Sequence, residues 1–131
     1  MNTILVDSSF WIGMARQRQD PIALLESAAL NRDIAICGII RCEVGRGVRS
    51  AQALARLQAF WDAMIYVPTN NVIWEEAEKM LWKMDRQGTQ IPLPDAVIAC
   101  CALRISAAVL TFDGHFKLIE GLKVISDPSL L

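Results

Sequence analysis

One histidine, one tyrosine and four cysteines are all that the 131 residues offer of those types. A single imidazole, His115, cannot supply the nitrogen set of a zinc enzyme, and the thiols do not compensate. Cys100 and Cys101 are adjacent, Cys37 and Cys42 lie far upstream, and no pair has the C-x-x-C spacing of zinc or redox sites. Four cysteines are also a thin disulfide framework for a chain that is 53% hydrophobic, so all four are expected to be reduced, mostly buried small hydrophobes. No apolar run approaches the roughly 20 residues of a membrane span, because Arg, Asp or Gly interrupts each one. The opening stretch, MNTILVDSSF, has neither a basic leader nor a small-residue cleavage site, which leads to the expectation of a cytoplasmic protein. A net charge of −1 argues against gripping nucleic acid by bulk electrostatics but leaves room for a local basic patch. Low-complexity stretches, linkers and repeats are absent, and the length suits one domain over residues 1–131.

What the chain does have is an alternation of strand-like and helix-like segments. TILVD (3–7) is short, apolar and β-branched, the pattern of a strand buried on both faces, and residues 8–16 read as a turn entering a helix. In QDPIALLESAALN, Asp20 suits an N-cap and Pro21 a first helical position. DIAICG (33–38) predicts a second strand, followed by a short apolar turn, CGIIRCEVG. SAQALARLQAFWDAM puts Leu54, Leu57, Phe60 or Trp61, and Met64 on one helical face, and MIYVP predicts a third strand. The best-marked helix is TNNVIWEEAEKMLWKMDRQG, with an Asn cap, acids in the first turn and Gly88 as terminator. LPDAVIACC opens another helix, with Pro94 at its first position and Asp95 in its first turn. AAVLTFD (107–113) and LKVISD (122–127) complete the strands. Strands separated by helices imply crossover connections. The expected class is therefore α/β, a three-layer α/β/α sandwich around a mainly parallel sheet of four to five strands.

In such sheets ligands bind beyond the carboxyl ends of the strands. Asp7 ends the first strand, Glu43 follows the second, Asp113 follows AVLT, and Asp95 heads the helix leading into that strand. The other ten acids have duller accounts: Asp20 caps a helix, Glu75, Glu76 and Glu78 sit near a helix start, and the rest suit solvated positions. Carboxylates gathered about 5 Å apart repel by roughly 3 kcal/mol per pair at an effective dielectric near 20. Divalent cations relieve that repulsion, and oxygen donors without a matching His or Cys set favour Mg²⁺ or Mn²⁺ over zinc.

These residues carry a resemblance. LVDSSFWI, the Glu of IIRCEVGRG, LPDAVIA and LTFDGHF together resemble, in order and on the expected elements, the four acidic motifs of PIN-domain ribonucleases in the compact form of VapC toxins. Nearly the whole chain is covered. The resemblance implies a Mg²⁺-dependent endoribonuclease, Mn²⁺ being the alternative ion, with Asp7, Glu43, Asp95 and Asp113 as the acidic quartet. Lys117 and Leu118 stand where some members carry a further acid. The implied reaction is in-line hydrolysis of RNA, transfer RNA or structured ribosomal RNA, leaving a 5′-phosphate and a 3′-hydroxyl. The implied partners are a VapB-type antitoxin, through which alone DNA is met, and a second copy of the chain in a homodimer.

Ser8 and Ser9 suit hydrogen bonds to a ligating carboxylate, and Thr111, two residues before Asp113, suits orienting that carboxylate; capping is the competing role for these hydroxyls. Arg41, Arg46 and Arg49 flank Glu43 and are the first candidates for RNA phosphate contacts, ahead of Arg16 and Arg18. His115 is expected on a surface turn, with a general-acid role as the alternative. Trp11, Trp61, Trp74 and Trp82 are expected in core or interface packing. Rival readings fail on particular residues. A receiver-type phosphoacceptor domain needs paired acids after strand one, where this chain has VDSS; a haloacid-type phosphatase needs an acid at position 9, which is serine. A catalytically inactive binding module of the same fold is the remaining alternative.

Overall fold

In a computed structural model describing residues 2–131, five short strands form one parallel sheet. They are β1 (Thr3–Val6), β2 (Asp33–Cys37), β3 (Ile65–Val67), β4 (Ala108–Leu110) and β5 (Val124–Ile125), in the order β3-β2-β1-β4-β5. Helices α1 (Ser8–Arg16) and α2 (Pro21–Ala28) connect β1 to β2, α3 (Gly38–Gly45) and α4 (Ala51–Asp62) connect β2 to β3, and α5 (Asn71–Arg86) and α6 (Leu93–Arg104) lead to β4. The expected α/β class and parallel sheet are confirmed. Right-handed crossovers send the connections on the two sides of β1 to opposite faces. The chain reverses its direction of travel between β1 and β4, and that switch point opens a crevice at the carboxyl ends of these two strands.

The local signals explain most of the elements. Ile4, Leu5, Val6, Ala35 and Ile36 are completely buried, as a two-faced central strand requires. Asp20 caps α2 by accepting from the Ile22 amide, and Asn70 caps α5 by accepting from Ile73. Gly88, at φ +81°, ends α5 where a residue with a Cβ would be strained. Helix α6 is apolar all round, and every residue from Ala96 to Ala102 is buried. Burial of Val97 and Ile98 alone contributes about 1.5–3 kcal/mol each.

Several expectations are corrected. The segment carrying Glu43 is the helix α3, not a turn; its pattern is too short for periodicity to declare itself. The fourth strand stops at Leu110, because Asp113 caps a 3₁₀ turn (Gly114–Leu118), and β5 spans only two residues. Pro94 takes the second position of α6, and Glu75 and Glu76 fall in the second turn of α5. On α4 only Trp61 is buried; Leu54, Leu57 and Phe60 are half-covered, as on a surface helix, and Met64 falls beyond the helix end at Asp62 rather than on its face. Cys37, Cys100 and Cys101 are buried, and burial pushes the Cys100 thiol up to about 11, so it packs as a neutral group. Cys42 is exposed, contrary to expectation, because it lies on the outer face of α3.

Candidate active site

The register of the sheet brings two distant parts of the chain together. Val6 pairs with Leu110, and the Asp7 amide donates to the Leu110 carbonyl at 2.9 Å, so Asp7 stands beside Thr111. Asp7 is only 3% exposed and caps α1. Its Oδ2 accepts from Ser9 Oγ at 2.7 Å, Thr111 Oγ1 at 2.8 Å and the Ser9 amide at 3.3 Å. The two hydroxyls also lie 3.0 Å from each other, so the protons they hold are shared among Ser9, Thr111 and the Asp7 carboxylate. The hydroxyl lone pairs accept the amides of Phe112 and Asp113, each at 2.9 Å. The backbone of the motif after β4 is thereby tied to the carboxylate after β1. Thr111 therefore orients the side chain of Asp7 and only the amide of Asp113, which corrects the expectation that it orients the Asp113 carboxylate.

Asp113 Oδ1 caps the following turn by accepting the His115 amide at 2.9 Å, and the same oxygen lies 2.9 Å from His115 Nδ1. Asp95, in the first turn of α6, points its Oδ2 to within 3.3 Å of that nitrogen, without the alignment of a hydrogen bond. This oxygen is buried and has no hydrogen-bond partner among the described residues. Burial first, then the negative charges of Asp113 and Asp7, push the Asp95 carboxyl up to about 7, with His115 opposing. Ligand atoms of Asp95, Asp113 and His115 all lie within 4.8 Å of one another. Of the four predicted acids, then, Asp95 and Asp113 converge most tightly, and Asp7 acts on Asp95 through its charge. Glu43 is exposed and stands outside that cluster, its Oε1 accepting from Ser8 Oγ at 2.7 Å. The donor set fits a hard divalent cation: carboxylates in mutual repulsion, one with a buried oxygen that no described donor satisfies.

His115 lies on an exposed turn, as expected, with its side chain 46% exposed, and its ring also faces Asp113 and Asp95. The signal is present in D-G-H. An Asp capping a tight turn brings the residue two positions on back against its own carboxylate.

The basic candidates divide. Arg41 pairs with Asp62 at 2.9 Å and stacks over Trp61 and Tyr66, with its guanidinium 5.4 and 5.3 Å from the ring centroids. These contacts hold the guanidinium in packing against Trp61 and Tyr66. Arg46 and Arg49 are exposed and make no ion pair among the described residues. A cavity of about 1110 Å³ is lined by Arg16, Arg18 and Arg49 with Glu43 at its edge, and by Trp11 and Ile12 at its apolar wall. Trp11 and Trp61 are buried and meet edge to face at 5.8 Å. Trp74 and Trp82 lie exposed on α5, outside the core. A Cβ at Gly13 would meet the Phe112 ring at 2.8 Å, so that ring, whose amide donates to Ser9, would have to shift.

No described helix is long and apolar enough to cross a membrane. The family model described as PIN domain matches residues 4–122. No curated protein matches the chain. Among solved structures, the VapBC2 complex of Rickettsia felis bound to a promoter DNA fragment is 19% identical with a TM-score of 0.77, covering 94% of this chain and 97% of that one. VapBC-1 of nontypeable Haemophilus influenzae is 21% identical with a TM-score of 0.75, covering 97% and 98%. The Mycobacterium tuberculosis toxin VapC20, described as cleaving the sarcin-ricin loop, is 17% identical with a TM-score of 0.64, covering 88% and 93%.

Proposed function

This chain belongs to the PIN domain family, and on that premise we propose that it is a Mg²⁺-dependent endoribonuclease toxin held in check by a VapB-type antitoxin. The observation that carries the reading is Asp95: a buried carboxylate oxygen without a donor, facing Asp113 and feeling Asp7, at the switch point of a parallel sheet. Asp7, Asp95 and Asp113 would hold the ion, with Glu43 acting directly or through water. When bound, Mg²⁺ supplies neutralisation of the phosphate charge and a more acidic water. The chain's own contribution is placement. Ser9 and Thr111 fix the Asp7 carboxylate, Ser8 restrains Glu43, and Arg49, Arg16 and Arg18 draw the RNA backbone along the groove that Glu43 also lines, with exposed Arg46 outside it. Water attacks the phosphorus in line with the ribose 3′-oxygen, which leaves to give a 5′-phosphate and a 3′-hydroxyl.

A structured RNA is the substrate class that the M. tuberculosis relative supports, and a transfer RNA belongs to the same class. Exposed Tyr66, Val72 and Trp74 supply apolar surface for a homodimer in the cytoplasm. DNA is met only through the antitoxin, a reading compatible with the R. felis complex, which is bound to a promoter DNA fragment. The test compares cleavage of structured RNA by the antitoxin-free protein and its Asp95→Asn variant, with Mg²⁺ and with chelator. Cleavage is expected only from the wild type with Mg²⁺; an Asp95→Asn variant that cuts at the wild-type rate would overturn the reading.

A further inference from the structure

His115 is the one nitrogen donor at a centre otherwise made of carboxylates. Two carboxylates face one of its ring nitrogens. Asp113 Oδ1 grips the His115 amide and faces ring Nδ1, both at 2.9 Å, while Asp95 Oδ2 approaches the same nitrogen at 3.3 Å. Bonds of about 2.1 Å to one ion place neighbouring ligand atoms of an octahedron about 3 Å apart. The two separations straddle that edge length. With its proton on Nε2, the neutral ring presents Nδ1 as a lone pair between the two carboxylates.

We propose that His115 Nδ1 is a direct ligand of the divalent ion, and that this nitrogen raises the affinity of the centre for Mn²⁺, the probe ion, without adding to its affinity for Mg²⁺. The inference rests on the reading of the centre as a divalent-cation site and assigns it one further donor. Mn²⁺ shares the preference of Mg²⁺ for oxygen donors but, as a first-row transition ion, also gains from an imidazole nitrogen, whereas Mg²⁺ is served by oxygen alone. The competing role is that of a counter-ion, in which the charged ring fills the place of the metal and leaves when it arrives. The two roles predict opposite results on removal. Loss of a ligand weakens Mn²⁺ selectively, whereas loss of a counter-ion strengthens both ions alike.

The experiment takes the full antitoxin-free chain and measures Mn²⁺ and Mg²⁺ affinity by calorimetry for wild type and His115→Ala, with pulsed electron paramagnetic resonance of the Mn²⁺-loaded protein. Expected are a nitrogen coupling to Mn²⁺ in the wild type, its loss in the variant, and a fall in Mn²⁺ affinity of at least about tenfold, with Mg²⁺ affinity changed by less than about twofold. The wild-type spectrum does not depend on any variant folding. Mn²⁺ binding and RNA cleavage without nitrogen coupling, or equal changes for both ions, would overturn the histidine assignment alone. A wild type that binds neither ion and cuts no RNA would overturn both this inference and the proposed nuclease.

Discussion

Two carboxylates of one crevice, Asp7 and Asp95, live under opposite conditions. Asp7 is nearly inaccessible, and three donors converge on its Oδ2. Asp95 is also largely covered, with its side chain 13% exposed, yet its Oδ2 has no donor among the described residues and its neighbours are acids. Burial by itself decides little about a charge; what decides is the number of donors that replace the lost water. The chain directs its hydroxyls and turn amides to Asp7 and leaves Asp95 to be completed from outside.

The largest effect that breaks this contrast comes from Asp95→Asn. Removing a charge that helps hold the ion is expected to lower the cleavage rate by about 100-fold or more, a loss of several kcal/mol of electrostatic stabilisation. The same substitution is expected to raise the melting temperature of the metal-free protein at pH 8, because it relieves buried like-charge repulsion. Activity and stability should therefore move in opposite directions.

A pH series sharpens the same point. The Asp95 carboxyl is raised from 3.8 to about 7, so between those values the folded state holds a proton that the unfolded chain has released. This contribution to stability is complete below about pH 4 and is lost as pH rises through 7. The metal-free wild type should lose stability across that window, and Asp95→Asn should show a shallower decline; thermal melts between pH 4 and 8 decide it. Saturating Mg²⁺, by binding the charged carboxyl, should offset the stability lost by pH 7 to 8.

On the other side of the contrast, Thr111→Val takes a donor from Asp7 and an acceptor from the Asp113 amide at once. A cost of about 1–3 kcal/mol is expected in denaturant unfolding, because buried polar groups are left unpaired. Here stability and activity should fall together. The smallest effect is expected from Ser8→Ala. Glu43 is exposed and can turn to water when its 2.7 Å partner is lost. A stability change under about 0.5 kcal/mol is expected, with cleavage reduced far less than by Asp95→Asn.

Much of this arrangement is legible in the amino-acid order alone. The short β-branched runs announce buried strands, and three acids stand directly after strands or at a helix start, where parallel sheets collect ligands. The illegible parts depend on partners remote in sequence or on geometry finer than a pattern. Arg41 has the sequence position of a phosphate contact, but Asp62, 21 residues away, and the rings of Trp61 and Tyr66 hold it in place. Thr111 lies on the strand face of Asp113, yet its hydroxyl finds Asp7 across the sheet, which only the β1/β4 pairing reveals. Trp74 and Trp82 follow the helical period of α5 but face outward, since α5 buries Ile73, Ala77 and Met84 instead. Exposure of an aromatic residue on an amphipathic helix depends on the angle at which the helix settles, which a periodic pattern leaves open.

The pairing of β1 with β4 also sets a clock. Thr111, which completes the surroundings of Asp7, leaves the ribosome 104 residues after it, and Asp113 follows two residues later. At about 5–20 residues per second, several seconds of translation or more separate the two halves of the centre. A chain stopped anywhere between them holds the first carboxylate without its clasp and without the fourth acid. Interrupted synthesis of this protein therefore yields fragments that lack the assembled centre, and the proposed cleavage of RNA requires that the message be read past the codon for Asp113.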